Sequence, residues 1–105
     1  YYLKAMKVRS MIIADFDKAF SGVDAIMAPV SPTPAFKLGE KANDPLKMYL
    51  ADVLTVPANL AGIPGLAMPS GLNKKGLPLG FQLMGPRFSE NALFALGELY
   101  QEATK

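Results

Sequence analysis

The chain has 105 residues and 50% of them are hydrophobic, a size that allows one small domain or part of a larger one. Histidine and cysteine are both absent, which excludes disulfides, thiol nucleophiles, imidazole bases, Ser-His-Asp triads and Cys/His zinc sites. The formal charge is +2, from 11 Lys+Arg against 9 Asp+Glu, and the basic residues are scattered. The composition therefore gives no sign of a nucleic-acid-binding surface.

The first 29 residues predict a helix followed by a strand. Apolar residues recur at spacings of three, four and seven over residues 1–20, as in an amphipathic helix, and we expect Gly22 to end it in a left-handed C-cap conformation. Residues 23–28 form a short apolar run before Pro29, the length of a buried strand. Because the chain starts inside a helical pattern, we expect it to be a piece of a longer protein.

Prolines and glycines punctuate the middle of the chain. The segment 29–34 contains three prolines and predicts a loop, because proline donates no backbone hydrogen bond and extends the residue before it. Asp44 and Pro45 predict the N-cap and first residue of a helix that runs through Leu54, and Pro57 bends or ends it.

The last 48 residues predict a helical turn, two strands and a helix. A turn of helix is expected over residues 58–62, and the segments 65–69 and 79–84 predict antiparallel strands joined across residues 73–76. Ser89 is the expected N-cap of the final helix. The fold class is therefore α/β, with about three strands and three to four helices. So small a sheet needs its edges covered, which again favours a fragment of a larger fold.

The candidate nucleophiles lack an obvious activating base. Ser70 precedes Gly71 with Lys74 nearby, so a Ser-Lys pair is conceivable, but Pro69-Ser70-Gly71 is also an ordinary turn, and we favour the turn. Ser31 in the proline loop is interpreted in the same way. Asp15 and Asp17 point to different sides of their helix and indicate a solvated surface.

Asp52 differs because it is the one charge between Lys47 and Lys74, in a stretch whose other residues predict burial. A carboxylate there either bonds nearby backbone donors or recognises a cationic ligand atom, and the residues alone favour the structural role. Asn59 poses the same question, and a structural bond is favoured for its amide as well.

The segment 44–65 resembles the C-terminal part of the amidase signature family, and within it the branch of tRNA-dependent amidotransferases. The supporting stretches are residues 1–5, 7–9, 24–29, 33–40 and 77–85. The resemblance is specific, because the proline and glycine framework and the loop lengths match together.

The resemblance implies a parent protein that releases ammonia from glutamine, within a heterotrimeric complex that amidates Glu-tRNA(Gln) or Asp-tRNA(Asn). The fold implied for that parent is a mixed sheet between helical layers, of which residues 1–105 form one C-terminal fragment. In the family a Ser-cisSer-Lys triad does the acyl chemistry, and the resemblance places it upstream of this chain. We therefore expect no catalytic residue here, and none of Ser31, Ser70 or Lys74 inherits that role.

The same resemblance assigns Asp52 to substrate binding, since the family's acidic partner for the glutamine α-amino group falls on this position. It also implies that a partner subunit uses ATP and magnesium, while no cofactor or metal binds this chain. The expected partners are glutamine, the other subunits and, through the complex, tRNA, in the cytoplasm and without a membrane. Two alternatives stay open: a generic amidase of the same superfamily, and a non-catalytic module that docks on another protein of a complex.

Overall fold

The computed structural model describes residues 1–39 and 44–104. Within these ranges the chain forms four helices and three strands, in the order α1 (Tyr2–Phe20), β1 (Ile26–Pro29), α2 (Pro45–Ala51), α3 (Val56–Ala61), β2 (Gly65–Leu72), β3 (Pro78–Met84) and α4 (Glu90–Ala103). The predicted α/β class and the predicted numbers of strands and helices are confirmed. None of the helices in these ranges is long and apolar enough to cross a membrane.

The sheet is antiparallel, and β3 lies between β1 and β2. Its register pairs Leu66 with Leu83 on one side and Met27 with Leu83 on the other. The predicted antiparallel pairing of the last two strands is confirmed. The first strand is shorter than predicted and lies at an edge with alternating exposure, so the expectation of a buried strand over residues 23–28 is wrong.

Helix α4 packs on one face of the sheet, against β2. Leu93 and Gly97 are buried there, and a Cβ atom added at Gly97 would lie 2.9 Å from Leu66 Cδ2 and 3.2 Å from Met68 Sδ. The rings of Phe81 and Tyr100 meet edge to face, with 4.8 Å between centroids. This face holds much of the apolar packing between helix and sheet.

Helix α3 lies by the opposite face, where it lines a cavity together with Ala67 and Gln82. Side chains alternate between the two faces of a strand, so Gln82 and its neighbour Phe81 point to opposite faces. Helix α1 packs against α3, and Arg9 Nε donates a hydrogen bond of 2.7 Å to the carbonyl oxygen of Leu60. The sheet therefore has helices on both faces.

Two helix ends differ from the sequence-based expectation. Helix α1 stops at Phe20, as predicted, but its C-cap is Ser21 in right-handed conformation, and Gly22 is not among the described glycines with positive φ. The Ser21 N–H and hydroxyl both bond carbonyls of the last turn, so a left-handed glycine is not needed. Helix α2 has the predicted Asp44 cap but ends at Ala51 rather than Leu54.

Pro57 does not end that helix. It lies in the first turn of α3, where a missing N–H costs no intrahelical hydrogen bond. The helical turn predicted over residues 58–62 is confirmed, and Gly62 closes α3 with φ 70°, in the left-handed conformation that glycine adopts without strain.

The chain has the shape of a slab that measures 43 × 41 × 17 Å. Its radius of gyration is 15.9 Å, whereas a compact chain of this length has about 13 Å. Many large apolar side chains are exposed, among them Tyr2, Leu46, Tyr49 and Leu99. The apolar area left in water is unusual for a small monomer, and such area favours association with another surface.

We expect the isolated chain to self-associate, because β1 and β2 lie at sheet edges and many large apolar side chains are exposed. Size-exclusion chromatography over a concentration series should show an elution volume that shifts with loading. A monomer peak that stays unshifted across the series would contradict this expectation.

Replacing Gly85 by alanine should lower the free energy of unfolding by about 1–3 kcal/mol, because the site has no room for a methyl group. The new Cβ would overlap Ser89 Oγ, which donates to the Pro86 carbonyl oxygen, and would lie 3.2 Å from Leu93 Cδ2. Gly22→Ala is the matched control, since its Cβ meets nothing within 4 Å. Urea unfolding of both variants, followed by circular dichroism, tests the difference; equal midpoints would be inconsistent with it.

Candidate functional site

Asp52 lies at the C-terminal end of α2, where it is the C-cap residue with φ −100° and ψ 1°. Its N–H donates to carbonyl oxygens of the last helical turn, at Tyr49 and Leu50. The helix begins at Asp44, whose carboxylate accepts a bond of 3.2 Å from the Lys47 N–H. Hydrogen bonds at both ends of α2 therefore set the bounds of the helix and the backbone position of Asp52.

A tight turn follows Asp52 and connects α2 to α3. The Asp52 carbonyl oxygen accepts hydrogen bonds from Thr55 N at 3.0 Å, Thr55 Oγ1 at 3.1 Å and Val56 N at 3.1 Å. Three donors on one oxygen hold residues 52–55 as a unit, because moving Asp52 would break all of them. We call this segment the 52–55 turn.

The Asp52 side chain is exposed, so the expectation of a carboxylate in a buried stretch is wrong for the chain as described. The apolar residues around it, such as Leu50 and Val53, are exposed too, because helix α2 stops short and its apolar side chains remain in solvent. In the part of the chain that the structure describes, the carboxylate has no hydrogen bond or ion pair. It is therefore free to bind a cationic group.

Sequence reasoning did not single out Gln82, which is the buried polar residue in the part of the chain that the structure describes. It lies in β3 with 7% of its surface exposed, and its Nε2 donates to the carbonyl oxygens of Pro29 at 3.0 Å and Leu54 at 2.7 Å. The available signal was a single amide in an otherwise apolar strand, Phe81-Gln82-Leu83-Met84. A polar residue there must find buried partners.

A cavity of about 230 Å³ lies beside the Gln82 side chain. It is lined by residues of the 52–55 turn, α3 and β2, together with Val30 after β1; among them are Thr55, Asn59 and Ala67. Asn59 Nδ2 donates to the Thr55 carbonyl oxygen at 3.0 Å, so the structural bond predicted for this amide is present. Gln82 thus lines the cavity together with Thr55 and is hydrogen-bonded to the turn that carries Asp52.

The serine candidates occupy structural positions. Ser70 lies inside β2 at a bulge, as the extra residue between Pro69 and Gly71, so the prediction of a turn beyond the strand is wrong. Ser31 Oγ accepts a bond of 3.4 Å from the Thr33 N–H within the proline loop. Asp15 and Asp17 are exposed on α1, as expected of a solvated surface.

Lys74 lies in the connection between β2 and β3, where Asn73 Oδ1 accepts from the N–H groups of Lys75 and Leu77 at 2.9 Å each. Together with Lys47 and the proline loop, this connection lines an open cavity of about 530 Å³. Across residues 1–39 and 44–104, no group of three or more acidic side chains is placed to hold a metal ion.

Comparison with known proteins gives consistent matches in sequence. The model of the amidase family matches residues 1–94. The chain is 53% identical over 105 residues to the A subunit of the glutamyl-tRNA(Gln) amidotransferase of Rippkaea orientalis, and 55% identical over 104 residues to that of Microcystis aeruginosa. These alignments cover 100% and 99% of this chain but 22% of each relative. The chain thus spans about a fifth of the length of the curated relatives it matches.

Solved structures show the same fold. The A subunit of the Thermotoga maritima glutamyl-tRNA(Gln) amidotransferase matches with a TM-score of 0.84 and 47% identity, over 90% of this chain and 20% of that one. An allophanate hydrolase of Kluyveromyces lactis matches with a TM-score of 0.77 and 32% identity, over 88% of this chain and 15% of that one. The family model covers most of the residues, and the solved structures share the arrangement of helices and strands. The chain belongs to the amidase family.

Proposed function

We propose that this chain is part of the A subunit of a glutamyl-tRNA(Gln) amidotransferase, which releases ammonia from glutamine for transfer to misacylated tRNA. The observation that carries the proposal is 53% identity over all 105 residues to such a protein. The generic amidase alternative is supported less well, because the allophanate hydrolase is 32% identical and the Thermotoga maritima protein is 47% identical.

Within this proposal, the chain recognises glutamine and the acyl chemistry belongs to residues outside it. The resemblance puts the Ser-cisSer-Lys triad upstream of this chain. Ser31 and Ser70 hold ordinary loop and bulge positions here, which supports leaving them out of catalysis. The assembly with other subunits and with tRNA, the use of ATP and magnesium by one of those partners, and a location in the cytoplasm are parts of the same proposal.

Asp52 is the residue proposed to bind the α-amino group of glutamine. Its carboxylate is exposed and lies at the C-terminal end of α2, where the helix carbonyls already carry partial negative charge. A carboxylate at this end costs the helix some stability, whereas an ammonium group is attracted by both the carboxylate and the carbonyls. The position therefore favours binding of a cation over stability of the helix.

The docking-module alternative stays a prediction. Exposed apolar side chains on α1, such as Tyr2 and Leu3, would suit a partner surface. The same exposure is expected for any segment that forms about a fifth of a larger protein, so it does not favour a separate docking role.

Replacing Asp52 by alanine in the full-length protein, assembled with its partners, should raise the KM for glutamine at least 10-fold. The loss corresponds to about 1.4 kcal/mol or more, because the α-amino group loses its charged partner. Hydrolysis of a small amide without an α-amino group should stay nearly unchanged. Steady-state ammonia release with both substrates measures this.

Asp15→Ala is the control for removing one exposed negative charge, since Asp15 lies on α1. It should leave both substrates unaffected. An equal loss on glutamine and on the small amide after Asp52→Ala would remove the case for a recognition role.

The 105-residue chain by itself should release no ammonia from glutamine, even at high protein concentration. The reason is that the proposed triad lies outside it. The full-length protein, assayed in parallel under the same conditions, provides the positive control. Glutaminase activity in the isolated chain would mean that a nucleophile within it, Ser70 with Lys74 first, has to be reconsidered.

A further inference from the structure

We propose that Gln82 is a positioning residue for glutamine recognition, which acts by holding the 52–55 turn and with it the Asp52 carboxylate. This inference rests on the proposed function, in which Asp52 binds the α-amino group. Gln82 is buried and belongs to the central strand of the sheet.

The first step is the pair of hydrogen bonds made by one amide nitrogen. Gln82 Nε2 donates to Leu54 O at 2.7 Å, which ties the turn to β3, and to Pro29 O at 3.0 Å, which ties the same nitrogen to the end of β1. A primary amide nitrogen has two hydrogens, so these two acceptors use its full donor capacity. The turn is thereby fixed relative to two strands at once.

The second step connects Leu54 to Asp52. Leu54 lies inside the turn that is closed by the Asp52 carbonyl oxygen, which accepts from Thr55 N, Thr55 Oγ1 and Val56 N. A shift of Leu54 away from the sheet would therefore carry Asp52 with it. The Asp52 side chain itself is exposed, so its position depends on the backbone of this turn.

The third step concerns what else could hold the turn. Helix α2 is short, is exposed along Pro45–Leu50, and has no buried residue to anchor it. Thr55 and Gln82 both line the cavity of about 230 Å³, so the turn is not close-packed against the sheet at Thr55. Helix α3, which follows the turn, is anchored by buried Ala58 and Ala61, and the bond from Gln82 to Leu54 adds a direct link between the turn and the central strand.

The test measures glutamine and small-amide hydrolysis by the full-length protein, assembled with its partners and carrying Gln82→Met. Methionine keeps the length of the side chain and removes both donors. We expect the KM for glutamine to rise about 5- to 20-fold, as for loss of a buried hydrogen bond, with the small amide nearly unchanged. A purely structural role would instead lower the active fraction and reduce kcat for both substrates alike.

The double variant with Asp52→Ala distinguishes action through Asp52 from a separate effect. If Gln82 works through that carboxylate, adding Gln82→Met to Asp52→Ala should raise the KM for glutamine no further. Additive effects would overturn the positioning role and leave the recognition role of Asp52 standing. If Asp52→Ala leaves the KM for glutamine unchanged, the recognition role and this inference fall together.

Thr55→Val keeps the test decisive if Gln82→Met does not fold. This change removes one bond to the Asp52 carbonyl oxygen and preserves side-chain shape, so the KM for glutamine should rise about 3-fold. Leu93→Ala is the control for destabilisation, since Leu93 is buried on α4, on the other face of the sheet. It should not alter that KM. An unchanged KM in both Gln82→Met and Thr55→Val, or an equal rise in Leu93→Ala, would overturn the inference.

Discussion

The side-chain amide of Gln82 joins three segments that are far apart in the chain: the end of β1, the turn after α2 and the central strand β3. Each partner is a main-chain carbonyl oxygen. Because the nitrogen is part-buried, losing it would leave two acceptors without their donor, which costs more than the net worth of an ordinary hydrogen bond. One side chain therefore contributes to the placement of two separate segments on this face of the sheet.

Hydrogen bonds such as those of Gln82 contribute a larger share of the stability in a thin slab than in a compact domain. With an extent of 17 Å in its thinnest direction, the chain has room for few fully enclosed side chains, and Ala61 and Leu93 are among those it buries most completely. Apolar burial is the largest source of stability in ordinary domains. In this chain, many apolar side chains are exposed, and contact with a further protein surface would bury them. Specific hydrogen bonds, such as those of Gln82, contribute to the position of the short elements on the sheet.

Features that depend on near neighbours in the sequence could be predicted, and features that depend on distant ones could not. The Asp44 cap, the start of the last helix and the antiparallel β2–β3 pair follow from local patterns. The early end of α2 and the exposure of Asp52 do not, because they depend on which surfaces cover the helix. Gln82 was missed for the same reason: its acceptors are 53 and 28 residues away.

In the proposed function, the position of Asp52 gives a physical reason to separate substrate recognition from catalysis. A simple amide and glutamine share the bond to be cleaved, and they differ in the α-amino and α-carboxyl groups. A carboxylate at the negative end of α2 attracts an ammonium group much more strongly than a neutral amide, which can give it only an ordinary hydrogen bond. The Asp52 carboxylate is exposed to solvent, while its backbone belongs to the 52–55 turn, which is hydrogen-bonded to the sheet through Leu54. In the proposed function, selectivity for glutamine would therefore reside in a segment that need not contain the nucleophile.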